Sequence, residues 1–574
     1  MNTHVKPDFR NMQVYQVWPR SFKDSNGDGI GDLGGVIEKL DYIKSLGTDM
    51  LWLSPVYASG NRDYGYDIDD YYTIHSEFGT MEDMERLIAE ARERGMGIMM
   101  DLVANHTSDR HEWFRKALES PDSPYRDYYI FEKGSMDAKG RRQPPNNWLS
   151  AFGGPAWQYH EASDSWYLTV FTPNQCDLNW DNPAVREGIY DIMRFWLDKG
   201  IAGYRMDVIN TISKTPGLPN AGKRADVLDF PFEHIVSLPK SHDYIREMYD
   251  RVLSRYPHCV TVGEGMVTDP ESLNLYTRSD RKELDMMFHF DIQLLGCGAL
   301  GKFDFRKLYR WSVRDLKTVI FRWMRETEAG GGWIGNFMSN HDWPRQVSRF
   351  GDDRKYRRDS AKAIALLNFT LRGTPYVYQG EEIGMTCIDL PREDWRDYEA
   401  MNAFTALQNM LHAPAWIAER IVRKMSRDNS RTPMQWTAGK NAGFTDGESW
   451  IRINPNYTDI NVEDDLAHED SIIAFYRRLS GLRRERAELR EGRFIPVLEK
   501  HPSIVAFIRD DGSARSLVVI NWSSQHVVLP AIPEIAGQAI SRNGAPLFAT
   551  GAVTAFGTPM SLDPWEGLVY DFSR

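Results

Sequence analysis

Three acidic residues, Asp207, Glu264 and Asp342, stand at or just beyond the ends of short apolar runs, about 60 to 80 residues apart in the chain. In a barrel of parallel strands such ends converge on one face, so carboxylates distant in sequence become neighbours around one cavity. Cleavage at the anomeric carbon of a sugar needs a pair of this kind, one carboxylate ionised to attack and the other protonated to donate to the leaving oxygen. Arg205 lies two positions before Asp207, on the same side of an extended strand, and its charge is expected to keep Asp207 ionised. A single strand-end carboxylate reads equally well as a buried structural ion pair. Three in one set favour chemistry.

The elements that must hold these residues are legible as apolar runs alternating with helical patterns, the signature of βα units in a parallel sheet. Eight runs are expected as strands: Gln13–Val17, Met50–Ser54, Gly97–Leu102, Ala202–Met206, Cys259–Gly263, Leu284–Phe288, Gly335–Ser339 and Thr374–Tyr378. That count matches a (β/α)8 TIM barrel, an α/β fold. After the third strand, His106 to Cys176 is rich in Trp, Pro, Gly and Asn and reads as an inserted subdomain walling the barrel mouth. Beyond about Arg490 the runs Ile504–Ile508, Ser516–Ile520 and Gly567–Tyr570, with turns between them, predict a C-terminal antiparallel β domain. The expected division is therefore 1–105 and 176–490 for the barrel, 106–175 for the insertion and 491–574 for the β domain.

Composition narrows the possibilities. The 574 residues are 42% hydrophobic and 26% charged, which suits a packed globular chain. A net charge of −12 argues against nucleic-acid binding, which relies on basic surface, and suits a neutral substrate. Four scattered cysteines (Cys176, Cys259, Cys297, Cys387) form no zinc or disulfide pattern, and no apolar signal core or run of about 20 apolar residues occurs. The expectation is a cytoplasmic protein with no membrane association, monomeric, and with no organic cofactor. The segment 24–32, Asp-Ser-Asn-Gly-Asp-Gly-Ile-Gly-Asp, carries oxygen ligands at alternate positions and resembles the start of a calcium loop without its distal Glu; a metal-free Asx-turn is the alternative.

The stretches Asp101-Leu102-Val103-Ala104-Asn105-His106, Gly203-Tyr204-Arg205-Met206-Asp207-Val208-Ile209-Asn210, Val262-Gly263-Glu264 and Ser339-Asn340-His341-Asp342 occur in order on the expected strands. Over nearly its whole length the chain resembles the α-amylase superfamily, glycoside hydrolase family 13, in its oligo-1,6-glucosidase and dextran glucosidase branch. The resemblance implies Asp207 as nucleophile, Glu264 as general acid/base and Asp342 as the residue that holds sugar hydroxyls in the transition state, with Arg205, His106 and His341 beside them. It implies that Asp63 and Tyr66, from Asp63-Tyr64-Gly65-Tyr66-Asp67, close the first sugar subsite, Asp63 on the non-reducing hydroxyl and Tyr66 stacked on the ring. An arginine of the segment 426–436 is implied at the same end; Arg427 is chosen and Arg431 stays open, as does a purely structural salt bridge. Glu399 resembles a second-sugar contact. The resemblance also implies a structural Ca²⁺ held by Asp24, Asn26, Asp28, Asp32 and the carbonyl of Ile30.

Val208 after the nucleophile looks like the residue of members acting on α-1,6 links, where sucrose-converting relatives resemble Asp-Thr-Val. Sucrose isomerases also resemble Arg-Leu-Asp-Arg-Asp where this chain reads Gln293-Leu294-Leu295-Gly296-Cys297. The implied activity is exo-acting, retaining release of glucose from α-1,6-linked gluco-oligosaccharides, the partner being a small α-glucoside. The alternatives are a trehalose-6-phosphate hydrolase, a sucrose- or trehalulose-active glucosidase or isomerase, and a catalytically silent barrel scaffold. The segment Gly301 to Trp311 departs from the pattern by extra length, so Arg306, Lys307 and Arg310 are the basic candidates on the leaving-group side.

Overall fold

The computed structural model describes residues 6–298, 301–307, 309–535, 545–551, 556 and 560–572. Eight parallel strands form the central sheet: β1 (Val14–Val17), β2 (Met50–Leu53), β3 (Gly97–Val103), β4 (Gly203–Asp207), β5 (Val260–Glu264), β6 (Met286–Phe288), β7 (Gly335–Asn336) and β8 (Thr374–Tyr378). They run in the order β6-β5-β4-β3-β2-β1-β8-β7, and a parallel bridge between Met287 and Ile334 joins the two edges. The barrel is thus an α/β TIM barrel, with helices such as Met81–Glu93, Pro183–Lys199 and Val313–Gly330 outside it. All residues of β1 to β4 are buried, which explains why these strands read as continuous apolar runs with no alternation.

The seventh expected strand is the one most shortened. It was expected to run to Ser339 and stops at Asn336, because the Ser339 N–H and hydroxyl bond Glu381 Oε1 at 3.1 and 2.6 Å instead of a neighbouring strand. The sixth begins at Met286, not Leu284: the Asp285 N–H turns to the Thr261 hydroxyl at 3.0 Å.

Within the Trp- and Pro-rich segment after β3, a three-stranded antiparallel sheet forms from Trp157–His160, Ser165–Leu168 and Phe131–Glu132. At the C-terminus β9 (Arg493–Val497), β10 (Ile504–Asp510), β11 (Arg515–Asn521), β12 (Phe548–Ala549) and β13 (Gly567–Phe572) form an antiparallel sheet in the order β9-β10-β11-β13-β12. Cations tie this sheet to the barrel. Lys317 donates to the carbonyls of Leu498, His501 and Ile504 at 2.6–3.0 Å, and Arg509 to that of Thr370 at 2.6 Å. No helix among the described residues is long and apolar enough to cross a membrane.

Candidate active site

Asp207 is the last residue of β4 and Glu264 the last of β5, strands paired directly with Met206 opposite Gly263. Arg205, one pleat earlier, faces the same side and is almost fully buried. Its Nη1 bonds Asp207 Oδ1 at 2.7 Å and also Asp101 Oδ1 on neighbouring β3, while Nη2 bonds Glu264 Oε2. One guanidinium therefore holds both candidate catalytic carboxylates. Asp207 is followed by Val208 at φ 35°, a backbone region that β-branched residues rarely adopt, and the turn carries the Val208 N–H toward Glu264 Oε2 at 3.4 Å.

These side chains open into a cavity of about 300 Å³, also lined by Asp63, Tyr66, His106, Asp342, Glu399 and Arg427. The expected set is thus brought together, with two exceptions: Arg205 and His341 lie behind the wall. His341 is stacked between Trp18 and Tyr66 at ring distances of 5.2 and 5.4 Å. Gln16 meets its Nδ1 at 2.8 Å, and the Tyr66 hydroxyl meets Nε2 at 2.7 Å. His106 bonds the Tyr66 carbonyl through Nε2 at 3.2 Å. Burial pushes both histidines down to about 4, so both are neutral near pH 7.

One end of the cavity is closed by a charge network. Arg427 Nη1 reaches Asp63 Oδ1 at 3.1 Å and Asp342 Oδ1 at 3.7 Å, while its Nε bonds Asp397 Oδ1 at 2.8 Å. Asp397 also caps the helix Tyr398–Leu411 through the Glu399 N–H, which fixes Glu399 at the rim. Arg431 comes to the same carboxylate from behind, Nη2 to Asp342 Oδ1 at 3.0 Å. Both arginines therefore reach this end, but only Arg427 lines the cavity. Gln175, absent from the sequence expectations, donates to Asp63 Oδ2 at 3.2 Å.

The electrostatics of the two ends differ. Burial pushes Asp342 up, but His341 first of all, then Arg431 and Arg427, outweigh it and hold the carboxyl well below the usual range. Asp207 departs from expectation. Burial pushes it well above the usual carboxylate range, Arg205 opposes this, and Glu264 and Asp101 push with burial. Arg205 is divided among three carboxylates, so burial outweighs its charge in setting the direction of the shift on Asp207. Asp101 itself is raised to about 6, chiefly by burial.

On the leaving-group side, Arg306 pairs with Asp304 and is exposed, and neither it nor Lys307 nor Arg310 lines the cavity. Lys302 does, its Nζ at 3.1 Å from Glu399 Oε2, 2.8 Å from the Asp342 carbonyl and 5.3 Å from the Trp343 ring. It escaped sequence reading because the segment has no helical period to place it. Phe290 stacks on Trp343, and Phe152, Phe171, Met266 and Val267 make the mouth largely apolar.

In the 24–32 loop, Asp24 Oδ1 accepts the N–H groups of Asn26 and Gly27 at 2.9 and 2.7 Å, and Oδ2 accepts that of Gly29 at 2.8 Å. Asn26 and Asp28 each close an Asx-turn on the residue two further on, and Asp32 caps the helix Leu33–Glu38. The carbonyl of Ile30 belongs to the same loop. Several of the oxygens expected of a metal site thus accept amide hydrogens, and among the described residues no group of three or more His, Cys, Asp or Glu is placed to hold a metal ion.

A closed βα barrel with strand-end carboxylates around one pocket is found in many hydrolases, and here the match is specific: residues 16–492 fit the family model for alpha amylase, catalytic domain. The chain belongs to this family of glycoside hydrolases. It is 46% identical to the oligo-1,6-glucosidase of Parageobacillus thermoglucosidasius, over 89% of this chain and 90% of that one. Among solved structures it is similar to the trehalose-6-phosphate hydrolase of Bacillus licheniformis (TM-score 0.92, 39% identity, covering 99% and 100% of the two chains). It is also similar to the isomaltulose synthase of Protaminobacter rubrum (TM-score 0.90, 39% identity, covering 99% of each).

Proposed function

We propose that this protein is a retaining, exo-acting α-glucosidase that releases glucose from the non-reducing end of α-1,6-linked gluco-oligosaccharides. The observation that carries this reading is the pair Asp207 and Glu264 on one guanidinium, facing a cavity whose far end the Asp63–Arg427 pair closes. A terminal glucose fits such a blind pocket, and a chain interior does not. Asp207 attacks the anomeric carbon and Glu264 protonates the leaving oxygen; Glu264 then takes a proton from the water that hydrolyses the glucosyl ester. Asp342, held low by His341, Arg431 and Arg427, binds ring hydroxyls more strongly as positive charge develops.

The α-1,6 preference draws on Val208 and on the oligo-1,6-glucosidase relative. Lys302 at the rim favours a second reading, hydrolysis of trehalose-6-phosphate, since an ammonium there suits a phosphate. The two are separated by kcat/KM for isomaltose, maltose, sucrose and trehalose-6-phosphate, with the anomer released followed by NMR. Isomaltose is expected to lead and α-glucose to appear first. Asp207→Asn is expected to lower kcat by about 10⁴-fold or more in a folded protein; isomaltose turnover at the parental rate would end the reading.

A calcium ion in the 24–32 loop is a separate proposal, supported by the alternate spacing of Asp24, Asn26, Asp28 and Asp32 and the resemblance alone. Addition of calcium to chelator-treated protein should raise Tm by several degrees if the ion binds, and an unchanged Tm removes the proposal.

A further inference from the structure

Behind the catalytic loops lies a larger cleft, about 850 Å³, that the hydrolytic site does not use. It shares walls with that site: Pro344 is two residues beyond Asp342, and Asn429 two beyond Arg427. One side is the helix Ala415–Arg423, whose positions Trp416, Glu419, Arg420 and Arg423 recur at helical spacing and so share a face. The Trp416 ring is 67% exposed, a large apolar surface left in water beside the cleft.

The charge of the cleft is unbalanced on a chain that is −12 overall. Arg349, Arg354, Arg420, Arg423 and Lys424 line it against Asp353, Asp389 and Glu419. Arg423 takes two of the three acids, Asp389 at 2.7 Å and Glu419 at 3.2 Å. Among the described residues, Arg349, Arg354, Arg420 and Lys424 form no ion pair. Arg349 donates through Nη2 to the carbonyls of Gln293 and Leu295, and its Nε is buried without a partner, as is the Tyr309 hydroxyl. Those two donors lie behind the surface, so the cations open to a ligand are the exposed Arg354, Arg420 and Lys424.

We propose that this cleft is a second ligand site, taking a small phosphate monoester whose dianionic head meets the uncompensated guanidiniums and whose ring lies against Trp416. A phosphate carries close to two negative charges and several acceptor oxygens, which suits arginine forks better than a single carboxylate does. The volume suits a small metabolite. Two sources share this chemistry, a sugar phosphate and a nucleoside monophosphate. The inference stands apart from the substrate of the hydrolytic site.

The test is calorimetric titration of the whole protein with glucose 6-phosphate, adenosine monophosphate and inorganic phosphate, with Asp207→Asn protein as a parallel sample. Trp416→Ala and Arg420→Glu both alter exposed side chains, so the fold should be kept. At least one ester is expected to bind, equally to parental and Asp207→Asn protein, and each cleft variant should weaken it about tenfold while leaving kcat on a neutral glucoside unchanged. The tighter ester identifies the source. Absence of binding by any of the three up to about 10 mM, or binding indifferent to both cleft substitutions, overturns the proposal.

Discussion

The two ends of the sugar cavity are built on different plans. At the closed end Asp63, Asp342 and Asp397 are held by Arg427, and Asp342 also by Arg431, so each charge has at least one buried counter-charge and little freedom to move. At the open end Lys302 meets Glu399 at 3.1 Å, which Arg427 only approaches at 3.9 Å, among Phe152, Phe290, Trp343 and Val267, of which Val267 is 60% exposed. A closed end of cross-linked charges fixes one sugar in one place; an apolar rim with one ammonium leaves the identity of the leaving group to a few side chains.

The comparison breaks most visibly at Arg427. Arg427→Met leaves Asp63 and Asp397 as buried, uncompensated carboxylates and removes the wall of the subsite; kcat/KM is expected to fall about 10²- to 10³-fold on every α-glucoside alike. A loss confined to one leaving group would show that the closed end does not act on the glucose. Lys302→Ala addresses the opposite end. It should raise KM about tenfold for disaccharides yet change hydrolysis of an aryl α-glucoside less than about threefold, because an aryl leaving group has no hydroxyls for the ammonium. Equal losses on both would place Lys302 with the structural charges.

Between the ends, Asp101→Asn tests the proton balance. Activity requires Asp207 ionised, and since Asp207 is pushed up, kcat/KM should rise with pH through a value above the usual carboxylate range. Removing the Asp101 charge takes away one of the groups that raise Asp207, so the rise should move to lower pH, whatever the fall in maximum rate. A rise that stays in place or moves upward would assign that limb to another group.

The same contrast governs how much was legible in the sequence. Asp207 and Glu264 were readable because each ends an apolar run whose burial forces the strand, and a strand has only two faces; Asp342, six residues beyond β7, was readable from its motif Ser339-Asn340-His341-Asp342. Their convergence then follows from the barrel. Asp397 and Gln175 were not readable, because their importance lies in partners, Arg427 and Asp63, brought near by loops with no period. Lys302 lay in the irregular stretch after β6, where spacing alone pointed to Arg306, Lys307 and Arg310. For Arg205 and Asp207 the sequence counted one cation against one anion, and the fold sets that cation among three.

The bonds from Lys317 and Arg509 bear on how the chain can be shortened. The Lys317 ammonium is lowered to about 8 by burial and finds its acceptors in the turn between β9 and β10 and at the first residue of β10. A protein ending near residue 490 would lose these acceptors together with Phe494, which packs on Phe321 at 5.4 Å. The C-terminal sheet is therefore a seal on the outer helix layer, and its removal should yield an aggregating chain in place of a smaller enzyme.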